Sequence, residues 1–165
     1  KVAGGDYRID PMQPEDLDDV LRIEAVSFSE PWTRTMFEAE LGHGVSLALV
    51  ARTAEGEFVG YVCGALVGEV LHINNVAVDP RVRGRGVGKT LVRSALSGAS
   101  RRGAREATLE VRASNLAAQV LYRHCGFKVV GRRRRYYTAP VEDALIMSLD
   151  YLDDASPGPP QGEKA

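Results

Sequence analysis

The period of apolar and polar positions changes several times along this chain. Tyr7-Arg8-Ile9 reads as a short strand. Pro14 then opens a helix with acids in its first turn, and Leu17, Val20, Leu21 and Glu24 recur at helical spacing. Ser29-Glu30-Pro31-Trp32 breaks that helix, and Thr33 caps a second, short one carrying Met36, Phe37 and Leu41. Three strand-like runs follow over 46–53, 57–67 and 70–78, joined by Ala54-Glu55-Gly56 and by Gly68-Glu69. A glycine-rich loop leads into a helix over 87–100 with Leu91, Val92, Ala95 and Leu96 inward. A strand over 107–111 and a helix over 116–124, stopped at Gly126-Phe127, come next. Two closing strands, 128–137 and 143–149, are joined by Thr138-Ala139-Pro140. This order predicts an α/β fold: a mixed central sheet of about seven strands with an antiparallel beginning, flanked on both faces by about four helices.

Length and composition bound that picture. With 165 residues and 17.9 kDa the chain suits one domain. We place it at 7–152, with a flexible lead at 1–6 containing Gly4-Gly5 and a disordered Pro/Gly-rich tail at 153–165. Apolar residues at 44%, charged residues at 26% and a mean hydropathy of -0.17 fit a soluble globular protein. No apolar run approaches the ~20 residues of a membrane span and no signal peptide opens the chain, so a cytoplasmic protein without a membrane partner is expected. Cys63 and Cys125 lie far apart, which excludes a disulfide scaffold or a cysteine zinc site of the usual spacing. His43, His72 and His124 show no metal spacing, and no metal is expected.

The formal net charge of -1 hides an asymmetry. Between Arg81 and Arg135 there are 15 basic residues against 2 acidic ones, a net +13, and the remainder carries -14. Either an anionic partner or a set of solvated arginine faces accounts for that segment.

The loop itself reads Arg81-Val82-Arg83-Gly84-Arg85-Gly86-Val87-Gly88-Lys89-Thr90. Placed between a strand and a helix, it directs backbone N–H groups and the helix dipole at one point, which suits phosphate. A nucleotide P-loop requires a glycine where Arg83 stands, and a Rossmann fingerprint requires one at Lys89, so both are rejected. The pattern R-x-x-G-x-G spans Arg83 to Gly88 and resembles the pyrophosphate loop of the GNAT acetyltransferases, which bind acetyl-CoA.

Glu110 lies near the end of the next strand, where α/β sheets usually bind ligands, and Tyr122 one helix later. A carboxylate acting through water can take a proton from an α-amine, which titrates near ~7.7–8.0. A tyrosine hydroxyl beside the sulfur can supply one to a leaving thiolate. Backbone N–H groups at Val76, Ala77 and Val78 can polarise a thioester carbonyl if that strand splays from its neighbour. Each residue also has a structural reading: Glu110 paired with an arginine, Tyr122 in the core, Asn115 as a helix cap. Cys125 beside His124 suggests a thiol nucleophile only weakly, because adjacent helical residues point about 100° apart.

Further segments sharpen the resemblance. Ser27 to Trp32, Asn75 to Pro80, Leu109 to Asn115, Ala118 to Phe127, Arg134 to Tyr137 and Glu142 to Met147 together resemble the RimI-type ribosomal-protein alanine N-acetyltransferases, a GNAT family. The match runs from about Tyr7 to Tyr151. The resemblance implies Glu110 as proton acceptor and Tyr122 as proton donor. It implies Val76, Ala77, Val78, Arg83, Gly84, Arg85, Gly86, Val87, Gly88, Lys89, Asn115 and Tyr122 around acetyl-CoA. Pro31, Trp32, Tyr136 and Tyr137 would wall a groove for a peptide N-terminus, although singly such aromatics also cap a sheet edge. The implied reaction is transfer of acetyl to the N-terminal amine of a ribosomal protein by a monomer; acetylation of a small amine or of lysine side chains is the alternative. A nucleic-acid module built on the basic segment lacks aromatics interleaved with its arginines, so no stable nucleic-acid binding is expected.

Overall fold

Buried alternation in the strands over 70–78 and 106–112, and a nearly continuous buried run over 58–66, build a sheet with two buried faces, and helices cover both. The structure, a computed structural model, describes residues 6–151; the tail and nearly all of the lead fall outside them. The strands are β1 (Tyr7–Pro11), β2 (Ser46–Thr53), β3 (Phe58–Val67), β4 (Val70–Val78), β5 (Glu106–Arg112), β6 (Lys128–Thr138) and β7 (Val141–Asp150). The helices are α1 (Leu17–Ser27), entered through a 3-10 turn at Pro14–Asp16, then α2 (Arg34–Leu41), α3 (Val87–Arg101) and α4 (Leu116–His124). The element order is the one read from the sequence, and Thr33 caps α2 by accepting from the Met36 N–H.

The seven strands form one sheet in the order β1-β2-β3-β4-β5-β7-β6. All neighbours are antiparallel except β4 and β5, which a crossover through α3 makes parallel. Val59, Val62, Leu71 and Ile73 face α3, whose Val87, Leu91, Val92, Ala95 and Ala99 are buried against them. Each large side chain of that stripe contributes roughly 1.5–3 kcal/mol by leaving water. Phe58, Tyr61, Cys63 and Ala77 face the other way, onto Leu17, Val20 and Ile23 of α1 and Phe37 of α2.

Two glycines of β3 let these layers close. A Cβ on Gly60 would stand 2.9 Å from the Ala77 carbonyl oxygen, and one on Gly64 would stand 2.8 Å from that of His72. The feature that positions the site lies next to them. The β3–β4 register shifts between Cys63 and Gly64, leaving Asn74 as a bulge. Pairing of β4 with β5 covers only Val70–His72 against Glu106–Thr108. Beyond it the two strands separate, and Asn74 to Val78 faces a cleft instead of β5.

Candidate active site

The cleft opens into a cavity of about 290 Å³ between the splayed strands, the α1–α2 connection and the start of α4. Glu110 and Arg112 of β5, Val76 of β4, and Asn115 and Tyr122 of α4 line it. Trp32 and Tyr137 supply aromatic wall. The splay brings together the sequence-predicted acid–base pair, one of the three candidate carbonyl-polarising residues, and one aromatic from each proposed wall.

Glu110 projects from a face of β5 that alternation separates from the buried Leu109 and Val111. Its Oε1 lies 2.7 Å from Nε2 of His72 on β4, and its Oε2 3.5 Å from Nε of Arg133 on β6. The carboxylate therefore has an arginine beside it, and a histidine as well, which spacing along the chain did not reveal. His72 is partly exposed, so the pair connects the cavity to solvent. Tyr122 is 8% exposed, its ring edge-on to Phe127 with centroids 5.9 Å apart. Burial, with Cys125 and Tyr137 nearby, pushes its hydroxyl well above the ordinary tyrosine value. Among the described residues that hydroxyl has no hydrogen-bond partner. It is thus a protonated donor facing the cavity.

Asn115 does cap α4, its Oδ1 accepting from the Ala118 N–H at 3.1 Å, while its side chain also reaches the cavity. The glycine loop adopts the backbone its sequence requires. Gly84 and Gly86 have φ of +80° and +86°, and an added Cβ at either would meet nothing within 4 Å. Conformation, not crowding, demands glycine there. Gly86 begins α3 without a side-chain cap, leaving the N–H groups of the first turn, from Val87 to Lys89, directed at open space. Gly88 sits where a Cβ would stand 3.2 Å from Leu121, packing α3 onto α4. Arg85 is exposed and Lys89 half-buried. Arg83 folds back instead, donating to the Val78 carbonyl at 3.1 Å and to Ser27 Oγ at 3.2 Å. Val87 and Ala77 put their side chains in the core, and Val78 is half-buried, so these three contribute backbone.

The walls differ from expectation in detail. Trp32 packs on Phe37 with centroids 5.1 Å apart, and Tyr137 stacks under the Arg112 guanidinium at 4.3 Å. Burial pushes the Tyr137 hydroxyl up to about 12, with Tyr136 and the Glu110 carboxylate adding to the effect. Pro31 and Tyr136 do not line the cavity: Pro31 is exposed, and Tyr136 stands edge-on behind Tyr137 at 5.0 Å. Sequence reasoning missed the connector between the walls. Arg112 donates to Ser29 Oγ at 3.2 Å, to the carbonyls of Ala139 (3.2 Å) and Pro140 (2.9 Å), and to Glu142 at 3.1 Å. Glu142 is held below the usual carboxylate range by its bond from Ser114 N–H and by Arg112. Glu30 accepts from Thr138 Oγ1 at 2.7 Å, tying the α1–α2 connection to the β6–β7 hairpin.

Much of the basic segment is satisfied internally. Arg81 pairs with Asp79 at 2.7 Å and Arg132 with Asp143 at 2.7 Å, while Arg102 donates to the carbonyls of Gly44 and Ser46. On the edge strand β6 the arginines also discourage pairing with another sheet. Among the described residues no cluster of His, Cys, Asp and Glu has the arrangement of a metal site, and no helix is long and apolar enough to cross a membrane.

A splayed β4–β5 pair, an uncapped helix N-terminus behind a glycine loop, and Glu110 and Tyr122 on one cavity fit an acyltransferase site. Consistent with that, residues 17–127 match the acetyltransferase (GNAT) family, and the chain belongs to it. Within the family it is similar to proteins named for N-terminal acetylation. A Bacillus subtilis (strain 168) protein provisionally named ribosomal protein bS18-alanine N-acetyltransferase is 42% identical over 137 residues, 82% of this chain and 90% of that one. The N-alpha-acetyltransferase RimI of Mycobacterium tuberculosis is 38% identical over 137 residues, covering 79% and 84% of the two chains. The crystal structure of the ribosomal-protein-S18-alanine N-acetyltransferase from Escherichia coli superposes with a TM-score of 0.79 at 32% identity, covering 87% of this chain and 93% of that one.

Proposed function

We propose that this protein transfers acetyl from acetyl-CoA to the N-terminal amine, alanine first among candidates, of a ribosomal protein. The observation that carries the reading is the placement of Glu110 and Tyr122 on one cavity beside the separated edge of β4. The names of the similar proteins supply the substrate class.

The residues divide the work as follows. N–H groups at the start of α3, with Arg85 and Lys89, hold the pyrophosphate of acetyl-CoA, and Arg83 fixes the loop from behind. Backbone N–H groups within Val76, Ala77 and Val78 polarise the thioester carbonyl. Glu110 takes a proton from the α-ammonium, directly or through a water, and His72 provides its route to solvent. The freed amine attacks the carbonyl carbon; the C–N bond forms and the C–S bond breaks. The amide nitrogen sheds its second proton, and the departing thiolate takes one from Tyr122, which regains it from solvent. One proton is released per turnover. Trp32 and Tyr137 wall the chain end, and Pro31 and Tyr136 support them from outside. We take the protein to act as a monomer. Arg132 and Arg133 of β6 face Asp143 and Glu110, which argues against a nucleic-acid groove there.

The test is to incubate the purified protein with acetyl-CoA and a mixture of ribosomal proteins bearing free N-termini. Intact-mass and fragment spectra should show one acetyl group on the first residue of one of them. Absence of any modified N-terminus would defeat the reading.

A further inference from the structure

Glu24 is a buried ionisable group that this mechanism leaves unused. It lies on α1 at 1% exposure and lines the cavity. Its carboxylate accepts from the Trp32 N–H at 2.9 Å, from Asn75 Nδ2 at 3.1 Å and from the Tyr61 hydroxyl. All three donors are neutral. Two other carboxylates of the region face cations, Glu110 with His72 and Arg133 and Glu142 with Arg112, while Glu30 accepts from Thr138 Oγ1 and is exposed to water. Among the described residues Glu24 has no cationic partner.

Burying a carboxylate is costly, and neutral donors fill its lone pairs without cancelling its charge. Asn75 Nδ2 also reaches the other carboxylate oxygen at 3.3 Å, so what Glu24 lacks is a counter-charge and not a donor. A second, independent observation points the same way. Asn75 is 7% exposed and lines the same cavity, and its Oδ1 is buried without a hydrogen-bond partner among the described residues. Buried acceptors are ordinarily satisfied. A charge without a counter-charge and an acceptor without a donor share one cavity, and together they lack a cation carrying several N–H groups.

We propose that Glu24, with Asn75 Oδ1, is the specificity element that selects a primary ammonium. Its field makes the protonated α-amine the bound form of the substrate, from which Glu110 then removes the proton. An acetylated, neutral chain end receives no such stabilisation, which favours release of product. The inference rests on reading the cavity as the amine site. The groups packed against Glu24 bring it no positive charge. Tyr61 and Cys63 on β3 are both pushed up by burial and stay neutral, and the further charge felt at Cys63 is the acidic Glu40. Across the cavity Glu30 is bonded to Thr138 and Arg112 to Glu142.

The experiment measures, in the presence of CoA, the affinities of one peptide with a free N-terminus and of its N-acetylated counterpart. Wild-type protein should prefer the free amine at pH 6.5, and the preference should fade as pH passes the amine's own titration near ~8. Glu24→Gln keeps size and an acceptor. It should cost the amine peptide about 10- to 100-fold in affinity while changing the acetylated peptide by no more than about twofold. Glu24→Asp keeps the charge and withdraws from Trp32, and should retain most of the preference. Equal losses for both peptides in Glu24→Gln, or a preference that survives it, would overturn the proposal. Should that variant fail to fold, a wild-type protein indifferent to amine protonation would overturn it as well. Wild-type turnover is a separate readout: its absence defeats the functional reading and leaves the affinity difference standing.

Discussion

Removing one oxygen atom separates chemistry from packing at Tyr122. Tyr122→Phe retains the ring edge-on to Phe127 and its place in the core behind α3. The hydroxyl has no hydrogen-bond partner among the described residues, so its loss orphans nothing, and stability should stay within about 0.5 kcal/mol of wild type. Turnover should fall about 10²–10⁴-fold if the hydroxyl is the acid for the leaving thiolate. That corresponds to about 2.7–5.4 kcal/mol of barrier at 1.36 kcal/mol per decade. Because burial raises the hydroxyl above its ordinary value of 10.0, it stays protonated through the working pH range. The variant's pH–rate profile should then match wild type in shape and differ in height. Tyr122→Ala should show a similar loss of rate but also lose about 3–5 kcal/mol of stability through the vacated ring volume. Single-turnover acetyl transfer, thermal melts and calorimetric acetyl-CoA affinity measure the three quantities. Wild-type turnover in Tyr122→Phe, or a loss of melting temperature matching its loss of rate, would refute the assignment.

The remaining predictions concern the base, the splay and the loop. Glu110→Gln should lower turnover and move the pH optimum upward with acetyl-CoA affinity nearly intact, because the carboxylate faces His72 and the cavity and the phosphate loop lies elsewhere; an unchanged pH profile would remove it from the base role. Gly60→Ala places a Cβ 2.9 Å from the Ala77 carbonyl and should cost about 1–3 kcal/mol of stability in urea titrations, together with activity, since Ala77 belongs to the splayed edge. Asp79 is held far below the usual carboxylate range by Arg81, against the opposing effect of its burial, with its bond to Arg22 adding to the depression. A depressed value in the folded state stabilises above the unfolded value near ~3.9 and is lost as pH falls through the folded one. Asp79→Asn should therefore lower the urea midpoint at pH 7 and flatten its decline below about pH 4, and parallel curves would contradict this.

Periodicity and punctuation were enough to place all seven strands and four helices of the described residues, with bounds for β2, β4 and α4 that agree with the structure. Local signals decided these: Thr33 before α2, positive-φ glycines before α3, and Gly126 after α4. That Glu110 and Tyr122 line one cavity was legible because Glu110 stands near a strand end and Tyr122 lies on the helix that Asn115 caps. Contacts between residues distant in sequence were not. His72 meets Glu110 only because β4 and β5 are parallel neighbours, and no spacing within one segment encodes that. Arg112 gave no sign that it joins Ser29 to the hairpin. Glu24 did leave a signal, a charge on the apolar stripe of α1, where helical spacing placed it inward with Leu17 and Val20. The basic segment showed the reverse problem: composition counted arginines whose partners lie in the acidic remainder, Arg81 with Glu57 and Arg132 with Asp143 among them.

The claim on which the rest depends is transfer of acetyl to an α-amine. It is tested most directly with two peptides of one sequence, starting with alanine and containing an internal lysine, one with a free N-terminus and one blocked. Each is incubated with acetyl-CoA and the acetyl group is located by fragmentation. The account predicts acetylation of the first residue of the free peptide and none of the blocked one. Acetyl-lysine forming in the blocked peptide at the rate of the free one would contradict it.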